Sequence, residues 1–340
     1  MVKYIFEISA IMIVFLFGSV GEIITEKSGH LNLGTPGIMC IGGAGAIIGT
    51  IAFNNMTGVA NVNAGNEIGV FAVLVPVLFG LVFALATGLL YCFIVDTLRC
   101  NQNVTGLLIT ILGGGFLKFV GASIYPPGTI HDSWGNQYPN PDRDAVTNIA
   151  RRYFQRIFPE SFVEANWFTK IFLGHGFLFY TAIAIAIAAF FIIKKTRVGL
   201  SLRAVGENPG TSDASGVNVI KYRYLATLIG SGIAGLGGVY YFLEKNVGSG
   251  EFGIESYGWI AVALVIFAVW NTGLSIAGSL IFATLYELVK ISSVSGWPKL
   301  VFEKLPFLIT ILVLIGVSLF RKRETQPPSA LGLSYYREDR

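Results

Sequence analysis

Long apolar runs separated by short polar segments dominate the chain and predict a helical membrane protein. Several runs reach the roughly 20 residues that a helix needs to cross the hydrocarbon core of a bilayer. The expected fold is an all-α polytopic bundle with broken or re-entrant helices and about nine spans, within a range of about eight to ten. The predicted spans are Tyr4–Gly21, Leu31–Phe53, Ile68–Val95, Val104–Ile124, Ile171–Ile193, Tyr224–Phe242, Trp259–Trp270, Leu274–Val289 and Leu305–Phe320.

The apolar stretch 259–289 contains an internal break. It is long enough for one tilted helix, but Asn271, Thr272 and Gly273 interrupt it. Two short arms joined by a turn agree better with the distribution of charges. Trp270 and Asn271 lie at this turn, where an aromatic ring and an amide could face a substrate. The alternative is that Trp270 anchors the chain at the membrane interface, a common role of tryptophan.

The placement of basic residues predicts the orientation in the membrane. The polar island Lys194–Arg223 holds six Lys and Arg residues against Glu207 and Asp213, and Arg321–Arg323 follows the last span. Because basic residues concentrate in cytoplasmic loops, both segments are expected inside. Counting back places the N-terminus outside, which Lys3 opposes. The expected organisation is a membrane domain over 1–320, an extracytoplasmic insertion at 125–170, a cytoplasmic loop at 194–223 and a cytoplasmic tail at 321–340.

The insertion 125–170 has two open interpretations. Apolar residues recur at helical spacing between Val146 and Phe158, with arginines between them. The segment is either an amphipathic helix on lipid of the outer leaflet or a docking site for an extracellular binding protein.

Composition supports a membrane protein and argues against an enzyme. The chain is 53% hydrophobic and 13% charged, whereas a soluble domain carries about 25% charged residues. There is no phosphate-binding loop and no nucleophile–base pair, so neither a cofactor nor a metal is expected in this chain. The net charge of +4 follows membrane orientation and does not indicate nucleic acid. The cysteines are expected to be buried reduced thiols and the histidines not to be ligands: Cys40, Cys92, Cys100; His30, His131, His175.

A short helix with both ends marked lies inside the basic island. Asn208 is a favourable N-cap, Pro209 suits the first helical position, and Gly216 suits a left-handed stop. The intervening residues Gly210–Ser215 have little side-chain bulk. A short helix with a small surface, held on the cytoplasmic side, can enter the groove of another protein. The sequence therefore predicts a partner that acts on the chain from the cytoplasm.

The start of the second span is interrupted by polar, glycine and proline residues. Asn32, Gly34, Pro36 and Gly37 fall where a regular helix would begin. Irregular backbone at membrane depth persists only where protein or water satisfies its polar groups, so this segment indicates a cavity or pathway. The alternative is an ordinary loop just outside the membrane.

Glycines mark two further helices. Asn103 and Thr105 open the fourth span, and Gly113–Gly115 lie in its middle, which indicates either close helix packing or exposure to a water-filled path. The stretch Gly230–Gly238 in the sixth span predicts a packing face, either within the chain or between two subunits.

Eight stretches of the chain form a recognisable set of motifs: Gly21-Glu22, Glu26–Gly29, Leu31–Gly37, Lys195–Leu200, Arg203–Pro209, Ala214–Val219, Ser231–Gly238 and Ile260–Phe267. Together they resemble one family of transport proteins, the permeases of bacterial ABC importers for branched-chain amino acids, simple sugars and nucleosides. The resemblance covers about residues 20–320.

The resemblance implies one permease subunit in the bacterial cytoplasmic (inner) membrane. It implies a second, different permease, an extracytoplasmic binding protein, and two cytoplasmic ATPase subunits that bind ATP and Mg. It also implies that a coupling helix contacts an ATPase groove through Arg203, Glu207, Asn208, Pro209, Gly210, Thr211, Ser212, Asp213 and Gly216. The expected substrate-pathway residues are Asn32, Gly34, Asn103, Thr105, Trp270 and Asn271.

The resemblance is closest to nucleoside permeases, with riboflavin or simple-sugar permeases as the alternative. Thr35–Gly37 and Gly210–Ser212 depart from the usual pattern, and the insertion is long. A secondary carrier that acts alone is the other class considered, but ion-coupled carriers usually keep carboxylates inside the membrane. Such residues are scarce in the middle of the predicted spans.

Overall fold

The computed structural model describes residues 2–58, 66–123, 129–131, 137–139, 141–154, 157–159, 163, 166–247, 253–291, 305, 308–312, 315 and 326–336. The first elements are α1 (Val2–Glu26), α2 (Thr35–Thr57), α3 (Asn66–Cys92, continued by a π-helical turn Phe93–Thr97), α4 (Gln102–Ser123), β1 (Thr129–His131) and β2 (Gln137–Pro139). They are followed by α5 (Pro141–Ile149, with a π-helical turn Ala150–Phe154), α6 (Trp167–Leu173), α7 (Phe177–Lys195), α8 (Arg197–Glu207), α9 (Pro209–Ala214), α10 (Val219–Tyr240, with a π-helical turn Tyr241–Lys245), α11 (Ile254–Phe267) and α12 (Thr272–Ile291).

Within the described ranges, six helical stretches are long and apolar enough to cross a membrane. They belong to α1, α2, α3, α4, α7 and α10, and α11 and α12 are shorter apolar helices. The chain is therefore a multi-pass membrane protein, and its described part agrees with the first eight predicted spans in order and position. The ninth, Leu305–Phe320, lies largely outside the described residues, as does the basic cluster 321–323.

The fifth predicted span is divided into α6 and α7. The break falls at Gly174–Gly176, and only glycine fits at position 176, since a Cβ there would lie 1.9 Å from the carbonyl oxygen of Phe154. Between the glycines, the His175 ring stacks on Phe6 and Phe179, with centroids 4.3 and 3.9 Å away. The membrane-length helix starts only at Phe177.

The predicted division of 259–289 into two arms is confirmed. Helix α11 ends at Phe267, and Val269 and Trp270 adopt left-handed backbone with φ of 53° and 52°. Such values are uncommon for residues other than glycine and prevent the helix from continuing. The turn lies slightly before the Asn271–Gly273 stretch that signals it in the sequence.

The centre of the bundle is formed by α1 and α2, with α10 packed against both. Helix α1 is buried on all sides from Ala10 to Glu26, which agrees with its apolar residues on every face. The outer surface of α4 is exposed instead, with Leu108 and Ile111 60% and 71% accessible. Central helices thus form the core, and α4 presents apolar surface outward.

The glycines of α10 form a packing face inside the chain. A Cβ on Gly230 would lie 2.4 Å from the Gly21 oxygen, and one on Gly238 would lie 2.0 Å from the Met39 oxygen. Both neighbours belong to the central helices, so the small residues let three backbones of one chain approach closely. The alternative of a packing face between two permease subunits is therefore wrong for Gly230–Gly238.

One part of the insertion departs from both sequence-based interpretations, whereas Ile157 and Phe158 of the same stripe are exposed and leave them open. Val146, Ile149 and Phe154 are buried within the protein's own hydrophobic core, so this part of the apolar stripe faces neither lipid nor a docked protein. Periodicity reveals an apolar face but not what covers it. The antiparallel pair of short strands β1 and β2 also departs from an entirely helical fold. Much of the remaining insertion lies outside the described residues.

The cysteines are free, as expected, but they are not all buried. Cys40 and Cys92 are buried, whereas Cys100 is exposed. Cys100 lies in the turn between α3 and α4, where the chain leaves the apolar bundle. Proximity to an apolar run in the sequence was therefore a poor guide to its burial.

Candidate functional site

The local structure of the candidate coupling helix α9 matches its sequence signals. The Asn208 side chain accepts a hydrogen bond from the Thr211 amide at 3.0 Å, and Pro209 occupies the first turn. The helix ends before Gly216, which has φ +86°. These caps stabilise a six-residue helix that would be marginal on its own.

The predicted coupling residues present a mixed surface. Thr211 and Gly216 are exposed, Gly210 and Asp213 are half-buried, and Ser212 is buried. The Ser212 hydroxyl donates to the Asn208 carbonyl at 2.9 Å. The exposed surface of α9 is therefore small and preformed, and its part in coupling stays a prediction.

Helix α8 connects α9 to the segment that follows α1. A Cβ on Gly206 would lie 2.3 Å from the carbonyl oxygen of Lys27, so a side chain is excluded where the two backbones touch. Gly29, two residues later, has φ +92° and makes the turn that this contact needs. Because of this contact, a displacement of α8 would also displace the loop between α1 and α2.

Residues 326–336, here the tail segment, fold back over these same elements, a contact that no pattern in the sequence predicts. The Ala330 amide donates to the Gly206 carbonyl, and the Gly332 amide donates to the Gly29 carbonyl, both at 3.0 Å. The Tyr335 hydroxyl donates to the Asp213 carboxylate at 2.8 Å. Ser329 donates to Glu207 at 2.9 Å. The tail segment therefore joins α8, α9 and the α1–α2 loop.

The α1–α2 loop is buried in protein, and its polar groups have partners. Asn32 is 1% exposed, and its side-chain oxygen accepts the Gly34 amide at 3.0 Å. The Leu31 amide donates to Gln102, and the Leu31 carbonyl accepts from Tyr91, both at 2.8 Å. This agrees with the rule that irregular backbone at membrane depth must be satisfied by its surroundings. The pathway role of Asn32 and Gly34 stays a prediction.

A buried polar cluster surrounds His30. Its Nε2 lies 3.0 Å from Asp96 and its Nδ1 lies 2.8 Å from the Thr227 hydroxyl. Burial lowers the pKa of His30, while the hydrogen bond and the charge of Asp96 oppose that shift. Cys92 completes a set whose ligand atoms lie within 4.8 Å of one another. The Arg223 guanidinium, 3.9 Å from the same Asp96 oxygen, supplies positive charge where a cation would bind.

Helix α4 packs on the α1–α2 loop, and this contact places the residues at its start. Thr105 is buried and donates to the Asn101 carbonyl at 2.8 Å, whereas Asn103 is exposed. A Cβ on Gly113 would lie 2.3 Å from the Gly37 oxygen, but no atom of the described residues lies within 4 Å of the Cβ position of Gly115. Close packing therefore explains the first glycine of the triplet, and no contact explains the last.

Trp270 and Asn271 lie on the other side of the end of α1. The Trp270 indole is 8% exposed and donates a short hydrogen bond to Glu26, so it does not anchor the chain at an exposed membrane interface. The Asn271 side-chain oxygen accepts the Gly273 amide at 3.0 Å and helps to begin α12. Both residues border a cavity between α1, α7, α8 and α12.

Two buried carboxylates link these two groups of candidate pathway residues. Glu22 and Glu26 are 1% and 4% exposed and lie one turn apart on α1. Glu22 accepts a short hydrogen bond from Thr35, and Glu26 accepts one from Trp270. In the sequence these two acidic residues stand out only as part of the stretches that carry the family resemblance. Their spacing of four, among apolar residues, was the available signal of burial on one helix face.

Comparison with known proteins places the chain among permeases. The profile of the family described as "branched-chain amino acid transport system / permease component" matches residues 4–314. The "Putative glucose ABC transporter permease protein TsgC13" of Haloferax volcanii is 30% identical to this chain. The matched region covers 81% of this chain and 73% of the length of TsgC13. No solved structure matches the chain.

Two similar proteins carry names that refer to nucleosides. The nucleoside ABC transporter permease protein NupC of Lactococcus lactis is 29% identical over 94% of this chain and 92% of its own. The guanosine ABC transporter permease protein NupQ of Bacillus subtilis is 27% identical over 95% of this chain and 92% of its own.

Proposed function

Because this chain belongs to the ABC transporter permease family, whose members are non-catalytic membrane subunits, we propose that it is the permease of an ATP-driven nucleoside importer in the bacterial inner membrane. The observation that carries this proposal is the similarity to NupC and NupQ over more than nine-tenths of each chain. The sugar alternative has the support of TsgC13, and riboflavin rests on the sequence resemblance alone.

The proposed complex contains a second, different permease, an extracytoplasmic binding protein and two cytoplasmic ATPases. The ATPases bind ATP and Mg, and α9 contacts a groove on one of them. Support comes from the caps that preform α9 and from the contacts that join it to the α1–α2 loop. Arg203 and Glu207 lie on α8, which precedes α9, and orient it.

The proposed translocation pathway lies between the two permeases near the α1–α2 loop. Asn32, Gly34, Asn103 and Thr105 belong to one group of lining residues, and Trp270 and Asn271 belong to another. Support comes from two carboxylates at the end of α1. Glu22 contacts Thr35, which is adjacent to Gly34 of the first group, and Glu26 contacts Trp270 of the second group. Alternating access would follow when α8 shifts against the loop.

Substrate identity is tested by uptake into proteoliposomes that contain the complex purified from its native membrane, with its binding protein outside and ATP inside. We expect labelled guanosine or adenosine to accumulate and unlabelled nucleosides to compete. Accumulation of glucose or riboflavin without nucleoside competition would replace the proposed substrate. Transport by this chain alone, driven by an ion gradient, would contradict the ATP-driven class.

Coupling is tested by bulky substitutions on α9 in the same assay. Gly210→Trp and Asp213→Trp should abolish ATP-driven uptake, because an indole does not fit a groove shaped for small residues. The matched control is Ile220→Trp, since Ile220 is exposed near the start of the next helix. Full uptake by both α9 variants would show that α9 does not enter the ATPase.

We also propose nine passes with the N-terminus outside, which places the exposed Cys100 in the cytoplasm. A membrane-impermeant maleimide should label Cys100 in inside-out vesicles and not in right-side-out vesicles. Cys40 and Cys92 are buried, so Cys100→Ser should remove the signal. Labelling from the outside would reverse the topology.

A further inference from the structure

A cavity of about 630 Å³ lies where the end of α1, the end of α7, helix α8 and the start of α12 meet. The volume falls in the range of small-molecule sites. Its wall combines apolar side chains, among them Phe190, Ile193 and Leu274, with charged ones. Trp270 and Asn271, proposed above for the pathway, also border it, but both are uncharged and do not account for the charged part of the wall.

The charged side chains of the cavity are mostly cationic. Among the described residues, four basic ones line it against one carboxylate, that of Glu207: Lys27, Lys194, Lys195 and Arg203. A nucleoside, a sugar or riboflavin has no negative charge to match them. The charge of the cavity therefore indicates a ligand other than the proposed substrate.

The cations lie close enough to influence one another. Burial lowers the pKa of Lys27, the Glu207 carboxylate opposes that shift, and the charge of Arg203 acts in the same direction as burial. The charge of Lys194 acts on Lys27 likewise. Like charges repel, so concentrating them in one cavity is unfavourable unless an anion compensates for it.

Arg203 has hydrogen-bonding capacity that the described part of the chain does not use. Its Nε is buried and has no hydrogen-bond partner there. A buried donor without a partner is costly, and the planar guanidinium matches the geometry of phosphate oxygens. Lys194 lies over the Phe190 ring, with Nζ 4.5 Å from the centroid, which holds an ammonium at the wall of the cavity.

Apolar surface beside the cavity suits a ligand that also has a hydrocarbon portion. Leu274 in its wall is 51% exposed. On α7, the adjacent residues Phe191 and Ile192 are 54% and 49% exposed. Basic pockets between membrane helices on the cytoplasmic side are a recurrent form of binding site for anionic lipid headgroups.

We propose that this cavity binds a phosphate group, presented by the headgroup of an anionic phospholipid of the inner leaflet. Arg203 and Lys27 contact the phosphate from within, and Lys194 and Lys195 contribute charge from the exposed side. The acyl chains lie along the apolar side chains of α7 and α12. A bound lipid would join α1, α7, α8 and α12 at the end of the bundle where α9 begins.

The test measures phospholipid binding to the full-length protein, independently of transport. Delipidated protein in detergent is titrated with phosphatidylglycerol, phosphatidylcholine or inorganic phosphate, and bound ligand is counted by native mass spectrometry. We expect phosphatidylglycerol to bind more tightly than phosphatidylcholine. Each cation removed should weaken phosphatidylglycerol binding by about fivefold, from the usual contribution of one basic residue near an anionic surface.

Two pairs of substitutions keep the test decisive. Lys194→Gln with Lys195→Gln alters two exposed side chains, and Lys27→Gln with Arg203→Gln removes the inner cations. The matched control is Lys221→Gln, an exposed basic residue of the same loop that does not line the cavity.

Each outcome of the titration has one meaning. Selective phosphatidylglycerol binding that falls in both double variants and persists in Lys221→Gln supports the lipid site. Comparable binding of inorganic phosphate, with the same dependence on the variants, supports the phosphate site and assigns it to a free ligand. Equal binding of both lipids, or equal losses in the control, overturns the proposal.

Discussion

The contact between α8 and the α1–α2 loop makes a quantitative prediction about Gly206. A Cβ there would lie 2.3 Å from the Lys27 carbonyl oxygen, so Gly206→Ala must separate two backbones by about 1 Å to reach an ordinary contact distance. Overpacking of this kind costs about 1–3 kcal/mol. We expect the substitution to lower the free energy of unfolding by that amount and to weaken ATP-driven uptake.

Gly210→Ala is a matched control. In the described part of the chain, a Cβ on Gly210 would meet just the Asn208 side-chain oxygen, at 3.5 Å, and alanine favours helix over glycine by about 1 kcal/mol. This variant should be unchanged or more stable than the original protein.

Stability can be read from the reaction of a thiol-reactive dye with the buried Cys40 and Cys92 as the protein unfolds, in a Cys100→Ser background that removes the exposed thiol. The variants are compared by their apparent melting temperatures. If Gly206→Ala and Gly210→Ala melt together, then α8 does not contact the loop as described, and the route from α9 to the pathway loses its support.

Two further predictions concern a titratable ring and the tail segment. Burial lowers the pKa of His175 in the folded protein to about 4. Below about pH 6.5 the unfolded chain therefore takes up a proton on this ring that the folded protein does not. The free energy of unfolding should decrease by about 1.4 kcal/mol for each pH unit until the pH reaches about 4. His175→Phe should flatten this dependence in a melting series, and an unchanged slope would assign it to other groups. Tyr335→Phe removes the hydrogen bond to Asp213, worth about 1 kcal/mol, and should speed hydrogen exchange at the Ala330 and Gly332 amides about fivefold. Unchanged exchange would show that this bond does not hold the tail segment.

Local signals in the sequence were sufficient for α9. Asn208, Pro209 and Gly216 each act within a few residues of their own position, so the helix and its ends could be predicted without knowledge of the fold. The spans were predictable for a similar reason, because bilayer thickness sets the length of apolar run that is required. The division of the fifth span was not, since the close contact of Gly176 with the Phe154 carbonyl involves a segment that no local pattern places beside it.

Contacts between distant segments could not be predicted in this way. His30 meets Asp96 and Thr227, which are 66 and 197 residues away, and no spacing rule joins them. The contacts of the tail segment with Gly206 and Gly29 are equally remote in sequence. The insertion shows the same limit, because the apolar spacing of Val146 and Ile149 revealed a face that packs on protein and not on lipid.

The proposal that α9 transmits the action of an ATPase is tested most directly by crosslinking from α9 itself. Thr211 is exposed on α9, and Thr211→Cys in a Cys100→Ser background offers a single accessible thiol for a short photoreactive crosslinker. In native membranes we predict a product that contains this chain and an ATPase subunit, and that changes in yield when ATP is added. The matched variant Ile220→Cys should give no such product. Crosslinks from Thr211→Cys to lipid or to this chain alone, with the ATPase present, would contradict the account.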